Sequence, residues 1–363
     1  MAFLNVKPID GLGVVKYVSF HDDVHEWQPV PHQDPTVTIA STMTSDNTAD
    51  SNETEVISAF LGSHTSNNRF YNAKLQELAK WKEMGTYEEV EFHNQNLIST
   101  SWVCTEKLKG GTLTCKARLV ARGFEEDSTM LKKESPTCAK DSLRIMLIIT
   151  MSYCWCIKSL DIKSAFLQGM KLQRDVFIKP PPEAKVHGII WKLNYAVYGL
   201  TDASRHFYDR VESELIKLGA FVSKLDPALF YFIHDGVLQG ILVVHVDDFL
   251  YAGTTSFHET VIKKLFEVFV VGSEAKQSMK FLGYNLVQNK GCVSVSLKQY
   301  VDLINPVKVS SDRAKLKEAS LSNEEYSDFR HVLGQINWCA GQVRLDIAFD
   351  NCFLSNSSSK PCI

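Results

Sequence analysis

Two adjacent aspartates, Asp247 and Asp248, interrupt an otherwise apolar stretch of the sequence. Apolar runs at residues 241–244 and 249–252 flank them, which predicts a strand, an acidic tip and a second strand. Burying ionised carboxylates is costly unless a partner compensates, and a divalent cation suits their hard oxygen ligands. The stretch therefore predicts a metal site; the alternative is a loop whose aspartates only cap or solubilise it.

A third aspartate, Asp161, lies at the end of a predicted strand at residues 156–162. Phe166 lies five residues beyond it, next to the small Ala165. The backbone here could approach a bulky ligand with the aromatic ring against one side of it. The alternative for Phe166 is an ordinary core position.

A basic hairpin is predicted upstream of these acids, with its turn at Gly110 and Gly111. Such a hairpin can hold phosphates of a nucleotide or a nucleic acid through charge-assisted hydrogen bonds. A solvated basic edge that discourages aggregation is the alternative. The bases are Lys107, Lys109, Lys116, Arg118 and Arg122.

Composition narrows the class of protein. With 363 residues, 45% of them hydrophobic, the chain can bury a core in two or three domains or subdomains. The first 69 residues carry three Lys/Arg against nine Asp/Glu, so the acidic balance lies there. Nine cysteines without a CxxC pair suit reduced thiols. No signal peptide and no apolar run of about 18 residues is present, which predicts an intracellular protein without a membrane span.

Several further elements must position these side chains. Residues 36–68 are polar and read as a linker, after a short strand within 14–20. A Gly turn leads into a helix near Arg205, whose N-terminal amides suit anions. A second hairpin joins strands at 279–286 and 292–297. The other predicted helices cover residues 70–82, 142–153, 257–269, 299–304 and 326–340.

Three carboxylates at strand ends with a basic hairpin upstream suggest nucleotidyl transfer. Two Mg²⁺ ions about 4 Å apart would bridge a triphosphate and an attacking 3′-hydroxyl. Without metal, the close carboxylates would repel one another, and at least one would tend to take up a proton.

Ordered sequence blocks then resemble the reverse transcriptase of copia-type long-terminal-repeat retrotransposons. The blocks are KARLVARGF (116–124), SLDIKSAFLQG (159–169), VYGLTDASR (197–205), VDDFLYAG (246–253), FLGY (281–284) and LGQINWCAGQVRLDIAF (333–349). The resemblance implies an α+β fold, the right-hand polymerase, with fingers, a palm made of an antiparallel sheet backed by helices, and a partial thumb or connection. It implies an acidic, largely disordered linker at 1–69, fingers at 70–155, a palm at 156–297 and a thumb or connection at 298–363. A ribonuclease H domain is not expected within this length.

The resemblance also assigns roles. Asp161 and Asp247 match the principal metal ligands, and Asp248 matches the second acid of the paired motif; all three are expected to be catalytic and to bind metal. Phe166 matches the aromatic gate that excludes a ribose 2′-hydroxyl. The remaining expected contacts are Lys116, Arg118, Arg122, Gly199 and Arg205 for the nucleotide, and Phe281, Leu282 and Gly283 for the primer.

Some positions depart from the family's pattern. His245 stands where Tyr is common, and Asp202-Ala203-Ser204-Arg205 replaces a Gln-Ala-Pro-Arg run, which puts an acid near the triphosphate path. Near the C-terminus, Thr-Arg-Pro-Asp is replaced by Val343-Arg344-Leu345-Asp346.

The sequence thus predicts an RNA-directed DNA polymerase that uses two Mg²⁺ ions, or Mn²⁺. Its expected partners are an RNA template, a DNA primer and deoxynucleoside triphosphates, with other retrotransposon polyprotein parts but no membrane. Its expected location is the cytoplasm, in a virus-like particle, or the nucleus. The alternatives are a catalytically decayed remnant that only binds nucleic acid and a metal-dependent phosphodiesterase.

Overall fold

The computed structural model describes residues 17–20, 58–61, 68–109, 112–316, 318–359 and 361–362. Helices and mostly antiparallel sheets make up this part of the chain, which confirms the predicted α+β class. Among these residues, no helix combines the length and the apolar character that crossing a bilayer requires.

The strands form four sheets. In chain order they are β1 (Tyr17–Phe20), β2 (Ser58–Leu61), β3 (Tyr87–Glu91), β4 (Leu97–Ile98), β5 (Thr100–Lys109), β6 (Thr112–Ala121), β7 (Lys158–Ile162), β8 (Phe177–Ile178), β9 (Ile189–Leu193), β10 (Phe221–Val222), β11 (Leu229–His234), β12 (Val237–His245), β13 (Asp248–Gly253), β14 (Val271–Lys276), β15 (Ser278–Phe281), β16 (Tyr284–Asn289) and β17 (Cys292–Ser296).

All but the last of the helices in the described residues overlap a predicted helical segment. They are α1 (Tyr71–Glu83), α2 (Lys140–Ser152), α3 (Ala203–Lys217), α4 (Thr255–Phe257), α5 (Lys263–Val268), α6 (Lys298–Val301), α7 (Asn323–Gln342) and α8 (Ala348–Asn356). A π-helical turn, His258–Ile262, joins α4 to α5. A capping box explains where α7 begins, because the Ser322 and Glu325 side chains each accept from the other's backbone amide.

The described chain divides into two compact units. The first contains β1 and the described residues of 136–163 and 215–363. The second contains β2 and the described residues of 68–135 and 164–214. Both units are discontinuous in sequence, whereas the predicted fingers, palm and thumb are consecutive segments, so those boundaries stay a prediction.

A six-stranded antiparallel sheet with the order β10-β11-β12-β13-β7-β14 forms the centre of the first unit. Its middle strands are buried on both faces, which is why residues 241–244 and 249–252 are continuously apolar. Val243 and Leu250 share a core cluster with Met146 of α2. A second sheet of this unit has the order β1-β17-β16-β15.

A pair of glycines anchors the end of the β12–β13 hairpin that is remote from its acidic tip. Gly240 and Gly253 are cross-strand partners, and a Cβ added to either would lie 2.4 Å from a ring atom of Phe257. Thr254 caps α4 by accepting from the Phe257 amide over 3.2 Å. The Phe257 ring therefore packs directly on the backbone of both glycines, and this contact fixes α4 against the sheet.

The second unit contains the three-stranded sheet β2-β5-β6 and the four-stranded sheet β3-β9-β8-β4. Trp81 of α1 and Trp191 of β9 are fully buried at its core. Tyr87 stacks on Trp191 with ring centroids 3.9 Å apart. The Trp81 and Trp191 rings lie 6.2 Å apart, centroid to centroid, and this contact ties α1 to the four-stranded sheet.

Two sequence predictions are wrong in part. Residues 279–286 are not one strand, because Leu282 and Gly283 both have positive φ and form a two-residue turn between β15 and β16. Leucine rarely occupies such a turn, so the pattern gave no sign of it. The predicted linker at 36–68 contains β2, which pairs with β5, and ends at Asn68, the first residue of a short 3-10 helix; residues 36–57 and 62–67 lie outside the described part of the chain.

Candidate active site

The acidic tip is the loop that joins β12 to β13. His245 and Asp248 form the last pair of the ladder, so Val246 and Asp247 alone make the turn. Val246 has a φ of +55°, a left-handed conformation that β-branched residues rarely adopt and that is often retained at functional sites. Asp247 therefore lies at the tip itself, beyond the paired strands.

Asp161 lies beside this tip on the neighbouring strand β7. It is the cross-strand partner of Asp248, and such partners project from the same face of the sheet with Cβ atoms about 5 Å apart. The Ile162 amide donates to the Asp247 carbonyl oxygen over 2.9 Å, which holds the turn against β7. The structure thus brings together the three aspartates that the sequence singled out.

The pKa of Asp248 reflects this close approach. Burial, and then the charges of Asp247 and Asp161, raise that pKa to about 6. Burial lowers the pKa of His245, and the charge of Asp247 opposes this only in part, so the imidazole is neutral at pH 7. A cation bound at this tip would relieve the repulsion between the acids.

Carboxylate oxygens are the ligands that Mg²⁺ prefers, so Asp161, Asp247 and Asp248 fit this ion in chemical type. Across the described ranges, however, no group of three or more His, Cys, Asp or Glu residues is already arranged to hold a metal ion. Strand register brings the three carboxylates near one another, and their side chains must rotate to share an ion.

Phe166 belongs to the second unit, in the short 3-10 helix Ala165–Gln168. Its half-buried ring lies 4.9 Å from the ring of Tyr198, centroid to centroid. The guanidinium carbon of Arg118 lies 5.3 Å from the centroid of the same Tyr198 ring. Tyr198 thus contacts both the predicted gate and a predicted nucleotide-binding base. Tyr198 is not among the residues predicted from sequence, although an aromatic residue directly before Gly199 was a signal.

The predicted bases of β6 and its end alternate with buried residues, as a strand requires. The exposed set is Lys116, Arg118 and Arg122, and the buried set is Ala117, Leu119 and Ala121. The side chains of Lys107 and Lys109 lie outside the described residues. This face of β6 therefore offers two of its bases, and the following loop a third, to solvent, where phosphates could bind.

Gly199 allows the loop after β9 to approach the end of β6. Its φ is +91°, and a Cβ there would lie 2.0 Å from the Ala121 carbonyl oxygen. The Tyr198 and Gly199 carbonyl oxygens accept from the amides of Ala121 and Gly123 over 2.8 and 3.1 Å. Only glycine fits both the conformation and the space. This contact places Tyr198 beside β6, the strand that contains Arg118.

The segment from Asp202 to Arg205, which departs from the expected Gln-Ala-Pro-Arg run, has its charged side chains paired within the second unit. Arg205 pairs with Asp209 over 2.7 Å. Asp202 is buried and pairs with Arg174 over 2.7 Å and with His206 over 3.2 Å. Asp202 therefore has a guanidinium partner, which Glu126 shares, and the nucleotide-binding role of Arg205 stays a prediction.

The predicted primer-contacting residues form the turn between β15 and β16. Phe281 pairs with Tyr284 across it, and the intervening Leu282 and Gly283 have φ values of +52° and +80°. Phe281 is buried, and its ring meets His245 nearly edge-on with centroids 6.5 Å apart. His245 thus packs between the acidic tip and this turn.

Known proteins match the part of the chain that contains these residues. A family model described as reverse transcriptase (RNA-dependent DNA polymerase) matches residues 85–312. The Retrovirus-related Pol polyprotein from transposon RE1 of Arabidopsis thaliana is 27% identical over 273 residues, 70% of this chain and 18% of that protein. The corresponding polyprotein from transposon TNT 1-94 of Nicotiana tabacum is 30% identical over 215 residues, 56% of this chain and 16% of that protein. The chain therefore spans less than a fifth of these relatives.

Among solved structures, the foamy viral protease-reverse transcriptase in complex with double-stranded DNA aligns with 75% of this chain and 41% of that one. The sequence identity is 15% and the TM-score is 0.44.

Proposed function

Because the chain belongs to the reverse transcriptase (RNA-dependent DNA polymerase) family, we propose that it adds deoxynucleotides to a primer 3′-hydroxyl on an RNA template. The transposon polyproteins confirm its resemblance to copia-type retrotransposons. One observation supports catalysis above the others: Asp161 is the cross-strand partner of Asp248, beside a tip occupied by Asp247.

Within this proposal, Asp161 and Asp247 hold the divalent ions and Asp248 completes the acidic surface. Two bound Mg²⁺ ions, or Mn²⁺, would neutralise phosphate charge and activate the attacking hydroxyl. Phe166 excludes the ribose 2′-hydroxyl. Lys116, Arg118 and Arg122 bind phosphates of the nucleotide or template.

Primer extension on an RNA template in Mg²⁺ tests the proposal directly. Asp247→Asn removes a ligand charge with little change in volume, and we expect incorporation to fall at least about a hundredfold, as loss of an electrostatic transition-state contact does. Equal incorporation by wild type and this variant would show that the chain does not catalyse the reaction at this tip.

Asp235→Asn is the matched control. Asp235 lies in the exposed turn at the other end of β12, about 30 Å from the tip at the rise of a strand. Its φ is +50°, which asparagine tolerates well. We expect wild-type incorporation from this variant.

The alternative function, a decayed remnant that only binds nucleic acid, gains no support from the two replaced residues that suggested it, His245 and Asp202. Asp202 pairs with Arg174 and lies within 3.2 Å of the His206 ring nitrogen Nε2, and His245 packs against Phe281. Salt-sensitive binding of a primer and template duplex without incorporation would favour the remnant over the polymerase.

A further inference from the structure

Gly272 is the extra residue of a β-bulge beside Asp161. In the pairing of β14 with β7, Val271 lies opposite Ile162 and Ser273 lies opposite Asp161, so Gly272 has no partner of its own. A glycine within a strand often marks a bulge or a close approach of another group.

The group that approaches Gly272 is the Asp161 carboxylate. A Cβ added to Gly272 would lie 2.5 Å from Oδ2 of Asp161 and 3.6 Å from its Cγ. The nearest backbone atom, the Asp161 carbonyl oxygen, would be 3.5 Å away, an ordinary van der Waals distance. The carboxylate oxygen therefore occupies the space that any other residue's Cβ would need.

The bulge backbone does not by itself require glycine. Gly272 is not among the glycines with positive φ, so its conformation is open to L-residues with a side chain. The conflict with a side chain is confined to one carboxylate oxygen, which can swing away. Alanine should therefore move Asp161 and leave the strand in place.

We propose that Gly272 is a positioning residue that leaves the Asp161 carboxylate the room it needs to rotate into its metal-binding orientation. This rests on the proposed function, in which Asp161 is a metal ligand. Strand β7 lies between β14 and β13, so a side chain at Gly272 pushes the carboxylate away from β14 and towards Asp248. That movement removes the room for this rotation and brings two like charges closer.

The test measures Mn²⁺ binding to the full chain from the electron paramagnetic resonance signal of the free ion, without nucleic acid. We expect Gly272→Ala to weaken binding about tenfold, the lower end of what loss of a ligand-orienting neighbour costs. Gly334→Ala is the control, because nothing lies within 4 Å of its Cβ position in α7; binding should match wild type. Wild-type binding by Gly272→Ala, with Asp161→Ala defective, would overturn the proposal.

Thermal unfolding separates positioning from a purely structural role. In the Asp161→Ala background the carboxylate is absent, so adding Gly272→Ala should leave the Tm unchanged. An equal Tm loss in both backgrounds would mean that the bulge itself needs glycine, and would overturn the inference. Wild-type Mn²⁺ binding by Asp161→Ala alone would instead refute the proposed function, because Asp161 would not be a ligand.

Discussion

The contact of Tyr198 with both Phe166 and Arg118 leads to a prediction about sugar selection. Tyr198→Leu keeps apolar volume but removes the ring that meets Phe166 at 4.9 Å and Arg118 at 5.3 Å. Tyr198→Phe keeps both ring contacts and is the matched control. If Phe166 excludes the 2′-hydroxyl, its ring must be held in place, and Tyr198 is the aromatic side chain that meets it in the second unit.

The expected magnitude follows from the two contacts. An aromatic pair contributes about 0.5–1.5 kcal/mol beyond its buried area. If all of it serves to hold Phe166, discrimination between deoxynucleotides and ribonucleotides falls by about 2- to 13-fold. The cation–π contact of Arg118 contributes about 0.5–1 kcal/mol. Because Arg118 would contact phosphates that both substrates share, its displacement should raise KM for both alike.

The assay is single-nucleotide primer extension, with kcat/KM measured for each deoxynucleotide and its ribonucleotide. Phe166→Ala sets the scale for complete loss of the gate. Unchanged discrimination in Tyr198→Leu, together with a large loss in Phe166→Ala, would refute the idea that Tyr198 supports the ring. A defect shared equally by Tyr198→Phe would locate the effect in the hydroxyl rather than in the ring contacts.

Two further predictions concern stability, measured by urea denaturation. Gly240→Ala puts a methyl group where the Phe257 ring lies, so the free energy of unfolding should fall by about 1–3 kcal/mol. Adding Phe257→Leu to this variant should recover part of the loss. A double variant that recovers nothing would contradict this packing. Asp202→Asn should cost about 1.5–3 kcal/mol at pH 7, because it weakens charged hydrogen bonds from Arg174 and His206. Burial raises the pKa of Asp202, but those two partners outweigh burial and leave it lowered. The stabilisation is therefore present above the unfolded-state pKa near 4 and is lost as the pH falls through the folded pKa. The free energies of unfolding of wild type and variant should therefore converge in acid. A difference that stays constant down to pH 2 would refute the ion-pair account.

The acidic tip could be predicted from sequence because its signal is local. Apolar runs bracket Asp247 and Asp248, and the structure buries those runs on both faces of the sheet. The exposed bases of β6 could also be predicted from sequence, because they alternate with apolar residues at the period of a strand. In both cases, neighbouring residues carry the whole pattern.

The missed features depend on partners that are distant in sequence. Asp202 looked like an acid near a phosphate path, and its pairing with Arg174, 28 residues earlier, cannot be read from either segment. Leu282 adopts a φ of +52° in a turn that leucine seldom occupies, because the flanking strands pair through Phe281 and Tyr284. Tertiary pairing overrides local preference at such positions.

The energetics of the acidic tip favour a site kept for chemistry over one kept for stability. Burial and neighbouring charges raise the pKa of Asp248 to about 6, so above that pH the folded state bears an ionised group that the unfolded state would solvate better. Val246 adds an unfavourable left-handed backbone conformation at the same turn. A hairpin selected only to fold would avoid both costs with an Asn-Gly turn. Their coincidence at one tip, opposite Asp161, is what a cation that binds the folded state would offset.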